Sequence, residues 1–323
     1  MRKEDLVSVI IPVYNRADMA MQAIDASLSQ DYKNIEIIVG DNCSTDGTFD
    51  KLKKRYSREE NVLIFQNERN LGPVENWKRC LEKTNGKYVK VLWSDDLMSS
   101  DFISKAVDIM ECDDNISFAF SSVIIFESME QLKRNNDGEV KQFYRLKRKT
   151  GIYQGKEFIK AVFGELDSAP VSPGCAIFRR EKLKVVSEIP NKLGYVHKMN
   201  GAGPDLLMYL EALVNGEKFA YIDEPCNFFR AHGDSISVCD KSILDGYRTA
   251  KIYYLKKYDM NNYWNDINSE IVSFANGRKV FNRDENIQAL LKYYDIDDPD
   301  IFKHSVLSVI IYKLRIRLKK FNI

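Results

Sequence analysis

Apolar strand-like runs and helix-like repeats alternate along residues 7–92, and this alternation constrains the fold more than any other feature of the chain. Val7-Ser8-Val9-Ile10-Ile11 is an almost continuous apolar run, as a parallel strand buried on both faces requires. Ala20, Ala23, Ile24 and Leu28 then recur at helical spacing. Ile35 to Val39 predicts a second strand, Asp46 to Tyr56 a second helix and Val62 to Phe65 a third strand. Pro73 opens the next helix, with Val74, Trp77 and Leu81 on one face and Gly86 beyond its end. Tyr88 to Leu92 predicts a fourth strand. Strand and helix in regular succession imply a mostly parallel α/β sheet with helices on both faces. Ligands of such a sheet bind beyond the carboxyl ends of its strands, so the residues directly after each strand are the informative ones.

Beyond residue 100 the pattern is less regular. A helix begins near Asp101, and Ser128 to Thr150 is polar and ends in a basic cluster, which reads as an excursion or mobile loop. A short helix over Lys156 to Phe163, a strand over Gly174 to Phe178 and a helix from Pro204 to Val214 follow. Strands are expected at Phe219 to Ile222 and at Asn227 to Arg230, and from about Ser235 the pattern is helical. The expected division is a sheet domain over 1–235 and a helical extension over 236–323. Lysine plus arginine (48) nearly balances aspartate plus glutamate (47), which gives no electrostatic case for nucleic-acid binding. Cys43, Cys80, Cys112, Cys175, Cys226 and Cys239 form no CxxC pair, and no secretory signal is evident, which points to reduced thiols in a cytoplasm. No apolar stretch reaches the roughly twenty residues of a spanning helix.

Three post-strand segments carry polar groups. Pro12-Val13-Tyr14-Asn15 follows the first strand and, taken alone, reads as a turn with Asn15 as a helix cap. Gly40-Asp41-Asn42-Cys43-Ser44-Thr45-Asp46 follows the second. A carboxylate there suits the imide N–H of uracil or a ribose hydroxyl, whereas Asp46 reads equally well as turn chemistry. Trp93-Ser94-Asp95-Asp96 follows the fourth strand. Adjacent carboxylates repel unless a cation sits beside them, and hard oxygen ligands suit Mg2+ or Mn2+ bridging to phosphate.

Together, Ser8 to Asn15, Ile38 to Gly47, Asn70-Leu71-Gly72, Asn85-Gly86-Lys87-Tyr88 and Ser94-Asp95-Asp96 resemble the family 2 glycosyltransferases of the GT-A fold in order and spacing. The resemblance covers about residues 5 to 235, more weakly after residue 100. It implies an inverting, metal-dependent hexosyltransferase that uses a nucleotide diphosphate sugar, UDP-linked by expectation, in bacterial surface polysaccharide assembly. It implies nucleotide contacts for Pro12, Val13, Tyr14, Asn15, Asp41, Asn70, Ser94 and Asp95. The Mn2+ or Mg2+ ligands it implies are Asp95, Asp96 and His232, and Arg230 would meet the diphosphate. Asp205, in Gly203-Pro204-Asp205-Leu206-Leu207, matches the catalytic base, with Asp167 and Glu165 as weaker substitutes. At a helix amino terminus its carboxylate is expected to have a lowered pKa and to stay ionised. Three departures stand out: Trp93 replaces an aspartate, Trp77 an arginine and Pro204 an acidic residue.

Leu307, Ile310, Ile311, Leu314, Leu318 and Phe321 share one helical face, with Lys303, Lys313, Arg315, Arg317, Lys319 and Lys320 around it. This composition fits a helix on an anionic membrane surface, such as the inner face of the cytoplasmic membrane, or one packed on the domain. A lipid-linked glycan acceptor would favour the former. Two other classes fit parts of the sequence. A sugar-nucleotide nucleotidyltransferase would carry a glycine-rich, arginine-containing loop where Pro12-Val13-Tyr14-Asn15 stands. A catalytically impaired sugar- or membrane-binding relative would fit Trp93 and Pro204.

Overall fold

The computed structural model describes residues 4–133, 142–164, 169–187, 201–233, 243–264 and 266–267. The first half follows the expected alternation. It comprises β1 (Val7–Val13), α1 (Ala17–Leu28), β2 (Ile35–Asp41), α2 (Thr48–Arg55), β3 (Val62–Gln66), α3 (Pro73–Leu81) and β4 (Tyr88–Val91). Then come β5 (Leu97–Met98), α4 (Phe102–Met110), β6 (Ile116–Phe126), α5 (Met129–Lys133), β7 (Gln142–Phe143), β8 (Gly151–Gln154) and α6 (Gly155–Phe163). The remaining elements are β9 (Ala176–Arg179), α7 (Pro204–Glu211), β10 (Lys218–Arg230) and α8 (Ile243–Lys257).

The ten strands of the described residues form one sheet, in the order β3-β2-β1-β4-β9-β6-β10-β5, with β7 beside β6 and β8 beside β10. β3, β2, β1 and β4 are parallel. β9 then runs antiparallel between β4 and β6, and β10 is parallel to β6. The sheet is therefore mixed beyond β4. The two antiparallel steps return β6 and β10 to the direction of β4, so the ends of β1, β2, β4 and β10 share one edge.

Alternation along β1 sorts its side chains to two faces. Val7, Val9, Ile11 and Val13 join a core with α1, α2 and α4, while Ile10 joins a second core with α3, α6, α7 and α8. The second core is aromatic, with Phe118, Phe158, Phe178, Tyr209 and Phe219 in mutual ring contact. Ala250, Ile252, Tyr254 and Leu255 of α8 belong to it, so this helix packs on the sheet rather than beside it.

Several expectations are revised. β6, central and almost wholly buried, was not anticipated. The two expected strands near 219–230 are one strand, Lys218–Arg230, with register breaks around Pro225, where proline lacks the N–H a ladder needs. The segment after Ser128 is not a free excursion among its described residues. It forms α5 and β7, and Leu146 is buried with its N–H donating to Tyr221 Oη at 3.2 Å. Cys43, Cys80, Cys112, Cys175 and Cys226 are free thiols, and Cys239 lies outside the described residues. Among the described residues no helix is long and apolar enough to cross a membrane. Glu165, Asp167, the boundary at 235 and the basic tail lie outside the described residues.

Candidate active site

Three loops meet at the carboxyl edge. Pro12 lies opposite Gly40 and Val13 opposite Asp41 in the parallel pair, and Asn42 N–H donates to the Val13 carbonyl at 2.9 Å. Asn15 joins the two following turns. Its N–H donates to Ser44 Oγ at 2.9 Å, and its Oδ1 accepts from Thr45 N–H at 2.8 Å. Asn15 holds a left-handed φ of 51°, which asparagine tolerates better than most residues. α1 starts behind Arg16 with no side-chain cap, so bridging replaces the capping role the sequence left open. Tyr14 is 40% exposed at this mouth.

Asp41 is fully buried at the end of β2. Its Oδ1 accepts from Ser44 N–H and from Gln66 Nε2, both at 2.9 Å. Its Oδ2 is buried with no hydrogen-bond partner. An unsatisfied buried acceptor costs about 1–3 kcal/mol, so such an atom calls for a ligand N–H or O–H. Asn42 is a buried hub that the sequence did not single out. It donates to Asn70 Oδ1 at 2.9 Å and accepts from Leu71 N–H at 2.9 Å and Asn67 Nδ2 at 3.2 Å. Asn70, for which the resemblance implies nucleotide contact, thus braces the loop, its Oδ1 accepting from Asn42 Nδ2 and Gly72 N–H. Asp46 accepts from the N–H and Oγ1 of Thr48, at 3.0 and 2.6 Å, which is turn chemistry.

The acidic pair sits among cations. Arg16 Nη1 lies 2.7 Å from Asp95 Oδ2, and His232 Nε2 lies 2.9 Å from the same oxygen. Arg230 donates its N–H to Asp96 Oδ1 at 2.9 Å and its Nε–H to the Asp95 carbonyl at 3.0 Å, and it reaches Gln22 Oε1 at 2.6 Å. The structure therefore brings Asp95, Asp96, Arg230 and His232 together, and adds Arg16. That arginine directly follows the motif after β1, and its position was the available signal. Burial, and then the neighbouring Asp95 charge, push the Asp96 carboxyl well above its ordinary value. Ser94 is buried between them and Trp93. Trp93 donates Nε1–H to Ser172 Oγ at 2.9 Å and packs on Trp77 with ring centroids 4.8 Å apart. Two of the sequence departures are thus partners in a single contact.

Among the described residues no three His, Cys, Asp or Glu side chains are arranged as a metal cage. A divalent ion would instead take one or two carboxylates and complete its shell with phosphate oxygens and water, which is common for Mg2+. The hard oxygens of Asp95 and Asp96 suit that role, and the charge strain on buried Asp96 is what a cation would relieve.

Asp205 stands in the first turn of α7. Its Oδ1 accepts from Gly203 N–H at 2.8 Å and Leu206 N–H at 2.7 Å, and its Oδ2 accepts from Tyr247 O–H at 2.9 Å. Burial nevertheless raises its carboxyl from 3.8 to about 7, against the lowering by these bonds. The expectation of a lowered value is therefore reversed, because desolvation outweighs the helix terminus. Asp205 is linked to the Trp77–Trp93 pair through packing. Its N–H donates to the Gly201 carbonyl at 3.3 Å, and the Gly201 backbone lies against Trp77, the partner of Trp93.

Comparison with known proteins bears on this geometry. The family model described as "Glycosyl transferase family 2" matches residues 8–186, more than half of the chain. That match ends before Asp205. A UDP-Glc:alpha-D-GlcNAc-diphosphoundecaprenol beta-1,3-glucosyltransferase of Escherichia coli is 34% identical over 121 residues, 38% of this chain and 47% of that protein. The chain thus spans less than half the length of this curated relative, and 42% of two others. An uncharacterized glycosyltransferase of Methanocaldococcus jannaschii is 27% identical over 80% of this chain and 82% of its own. TarS 1-349 of S. aureus, solved in complex with UDP-GlcNAc, superposes with a TM-score of 0.57 at 17% identity, covering 96% of this chain and 79% of that chain. At that identity the likeness is one of fold.

Proposed function

Because this chain belongs to glycosyl transferase family 2, we propose that it transfers a sugar from a UDP-linked donor to an acceptor hydroxyl, with inversion at the anomeric carbon. The observation that carries this reading is the unpartnered Oδ2 of Asp41 at the end of β2. It is an acceptor for the imide N–H of uracil, with Pro12, Val13, Tyr14 and Asn15 along one side and the Asn42–Asn70 hub on the other. The UDP-linked donors in the names of the Escherichia coli and S. aureus proteins agree with that choice of base.

Asp95 and Asp96, with His232 beside them, are the residues that would hold Mn2+ or Mg2+ against the diphosphate, and Ser94 and Asp95 face the nucleotide. Such an ion supplies charge neutralisation at the leaving group. Arg230, 3.0 Å from the Asp95 backbone, brings a fixed cation to the same place. Asp205 takes the acceptor hydroxyl proton as that oxygen forms its bond to the anomeric carbon. The bond from that carbon to the diphosphate oxygen breaks on the opposite face, and UDP departs with the electron pair. A carboxyl near 7 is a stronger base than an ordinary aspartate. The acceptor class we favour is a lipid-linked glycan of a surface polysaccharide. Residues 1–235 are the proposed catalytic unit and 236–323 an extension, whose basic end suits an anionic membrane on the cytoplasmic side.

Incubation with a panel of UDP-sugars, with and without manganese, tests the reading. Slow hydrolysis of one of them should appear with the metal and vanish on chelation. Asp205→Asn should lower that rate by roughly 10²–10⁴-fold while leaving UDP affinity intact. Absence of both UDP binding and UDP-sugar hydrolysis across the panel would refute it.

A further inference from the structure

We propose that Tyr247, on the helix that follows the sheet, is a positioning residue that orients the Asp205 carboxylate toward the acceptor. This rests on the reading of Asp205 as the base. Tyr247 lies 42 residues from Asp205 in sequence, yet its O–H donates to Asp205 Oδ2 at 2.9 Å. Two glycines make that approach possible. A Cβ on Gly203, whose φ is 104°, would stand 2.7 Å from the Gly246 carbonyl oxygen, and one on Gly246 would stand 2.5 Å from that of Ala202. The loop before α7 and the start of α8 therefore touch backbone to backbone, immediately beside Tyr247.

The far ends of the two helices are joined as well. Lys257 Nζ and Tyr258 O–H reach the two oxygens of Glu211 at 2.8 and 2.7 Å. Ala250, Ile252, Tyr254 and Leu255 hold the helix to the core between these points. Tyr247 is thus presented by an element pinned at both ends, and its place is not set by local chain flexibility.

The consequence lies in the lone pairs of Asp205. Oδ1 already accepts from two backbone N–H groups. Oδ2 accepts from Tyr247 and keeps one direction for an acceptor hydroxyl. Among the described residues, the titratable groups that interact with Asp205 include Tyr247 from α8, Tyr144 after β7 and Tyr209 one turn along α7, and Cys175 contacts Tyr209. Burial pushes all four above their ordinary values, so each is neutral near pH 7 and Tyr247 keeps the proton it donates. The hydrogen bonds from Leu206, Tyr247 and Gly203 stabilise the charged form of the base.

Tyr247→Phe keeps the ring and removes the O–H. In full-length protein labelled with 13C-aspartate, the resonance missing from Asp205→Asn identifies Asp205. It should titrate near pH 7 in wild type and about one to two units higher in Tyr247→Phe, because a lost bond to a carboxylate disfavours its charged form. The acidic limb of hydrolysis of the fastest UDP-sugar in the panel should move with it, and the rate at pH 7 should fall about tenfold. UDP affinity should not change. Identical Asp205 titration and hydrolysis profiles in wild type and Tyr247→Phe would overturn the inference alone. Wild-type hydrolysis by Asp205→Asn would overturn the base assignment, and the inference with it.

Discussion

Asp41 and Asp205 are both buried carboxylates, and what distinguishes them is how their oxygens are satisfied. Asp205 has both oxygens bonded, whereas Asp41 leaves Oδ2 unpartnered. Asp41→Asn tests the meaning of that gap. Ser44 N–H and Gln66 Nε2 fix an oxygen at the Oδ1 position, so the amide NH2 must take the other place and meet the uracil N–H donor to donor. UDP affinity measured by calorimetry should fall about 10- to 100-fold, and an unchanged affinity would remove Asp41 from the nucleoside site. Asp41, Asp95 and Asp96 stood out as candidates because each follows a strand, and Arg230 because of the family resemblance. Arg16 was passed over although it directly follows the first post-strand segment, and Tyr247 lies in a helix 42 residues beyond its partner, with no strand end to mark it. The ionisation of Asp205 was not legible either, since the helix terminus can be read locally but the burial that overrides it cannot.

Among the elements, β4 carries a charge-bearing residue into the interior. Lys90 is fully buried, and its Nζ donates to the Gly174 carbonyl and, at 2.9 Å, to Asn227 Oδ1. Asn227 donates in turn to Ser121 Oγ at 2.8 Å and the Cys175 carbonyl at 3.2 Å. One polar network therefore ties β4, the turn before β9, β6 and β10 across the change from parallel to mixed pairing. Burial lowers the Lys90 ammonium to about 7. Between about pH 7 and about pH 10 the unfolded chain binds a proton that the folded chain does not, so this group makes stability rise with pH in that window and flattens below it. The melting temperature of wild type should therefore climb relative to Lys90→Met from pH 7 to pH 10. Parallel curves would mean that Lys90 stays charged in the fold. β6 was missed from sequence and β10 was split in two, for related reasons. Ser117, Ser121 and Ser122 interrupt the apolar run of β6, and Pro225 interrupts β10 at a register break that its pairing with β6 spans.

At the scale of the whole molecule, residues 301–323 join six cations to an apolar face and contain no acid. If they meet an anionic membrane, deleting them should release the protein from anionic liposomes at low salt and leave UDP binding intact, because the nucleotide site lies at the sheet edge. Loss of thermal stability without loss of liposome binding would assign them to packing instead. The sequence by itself determined the parallel half of the sheet, the edge where ligands would bind and the acidic residues waiting there. Those follow from local periodicity and from residues adjacent to strand ends. Only the tertiary structure decided how those charges are matched. It set Arg16 on Asp95, left Asp41 Oδ2 unpaired, joined Trp77 to Trp93, and brought α8 against α7 through two glycines so that Tyr247 reaches Asp205. Each of these depends on burial and on contacts between segments remote in sequence, and neither is encoded in the spacing of residues along one strand or helix.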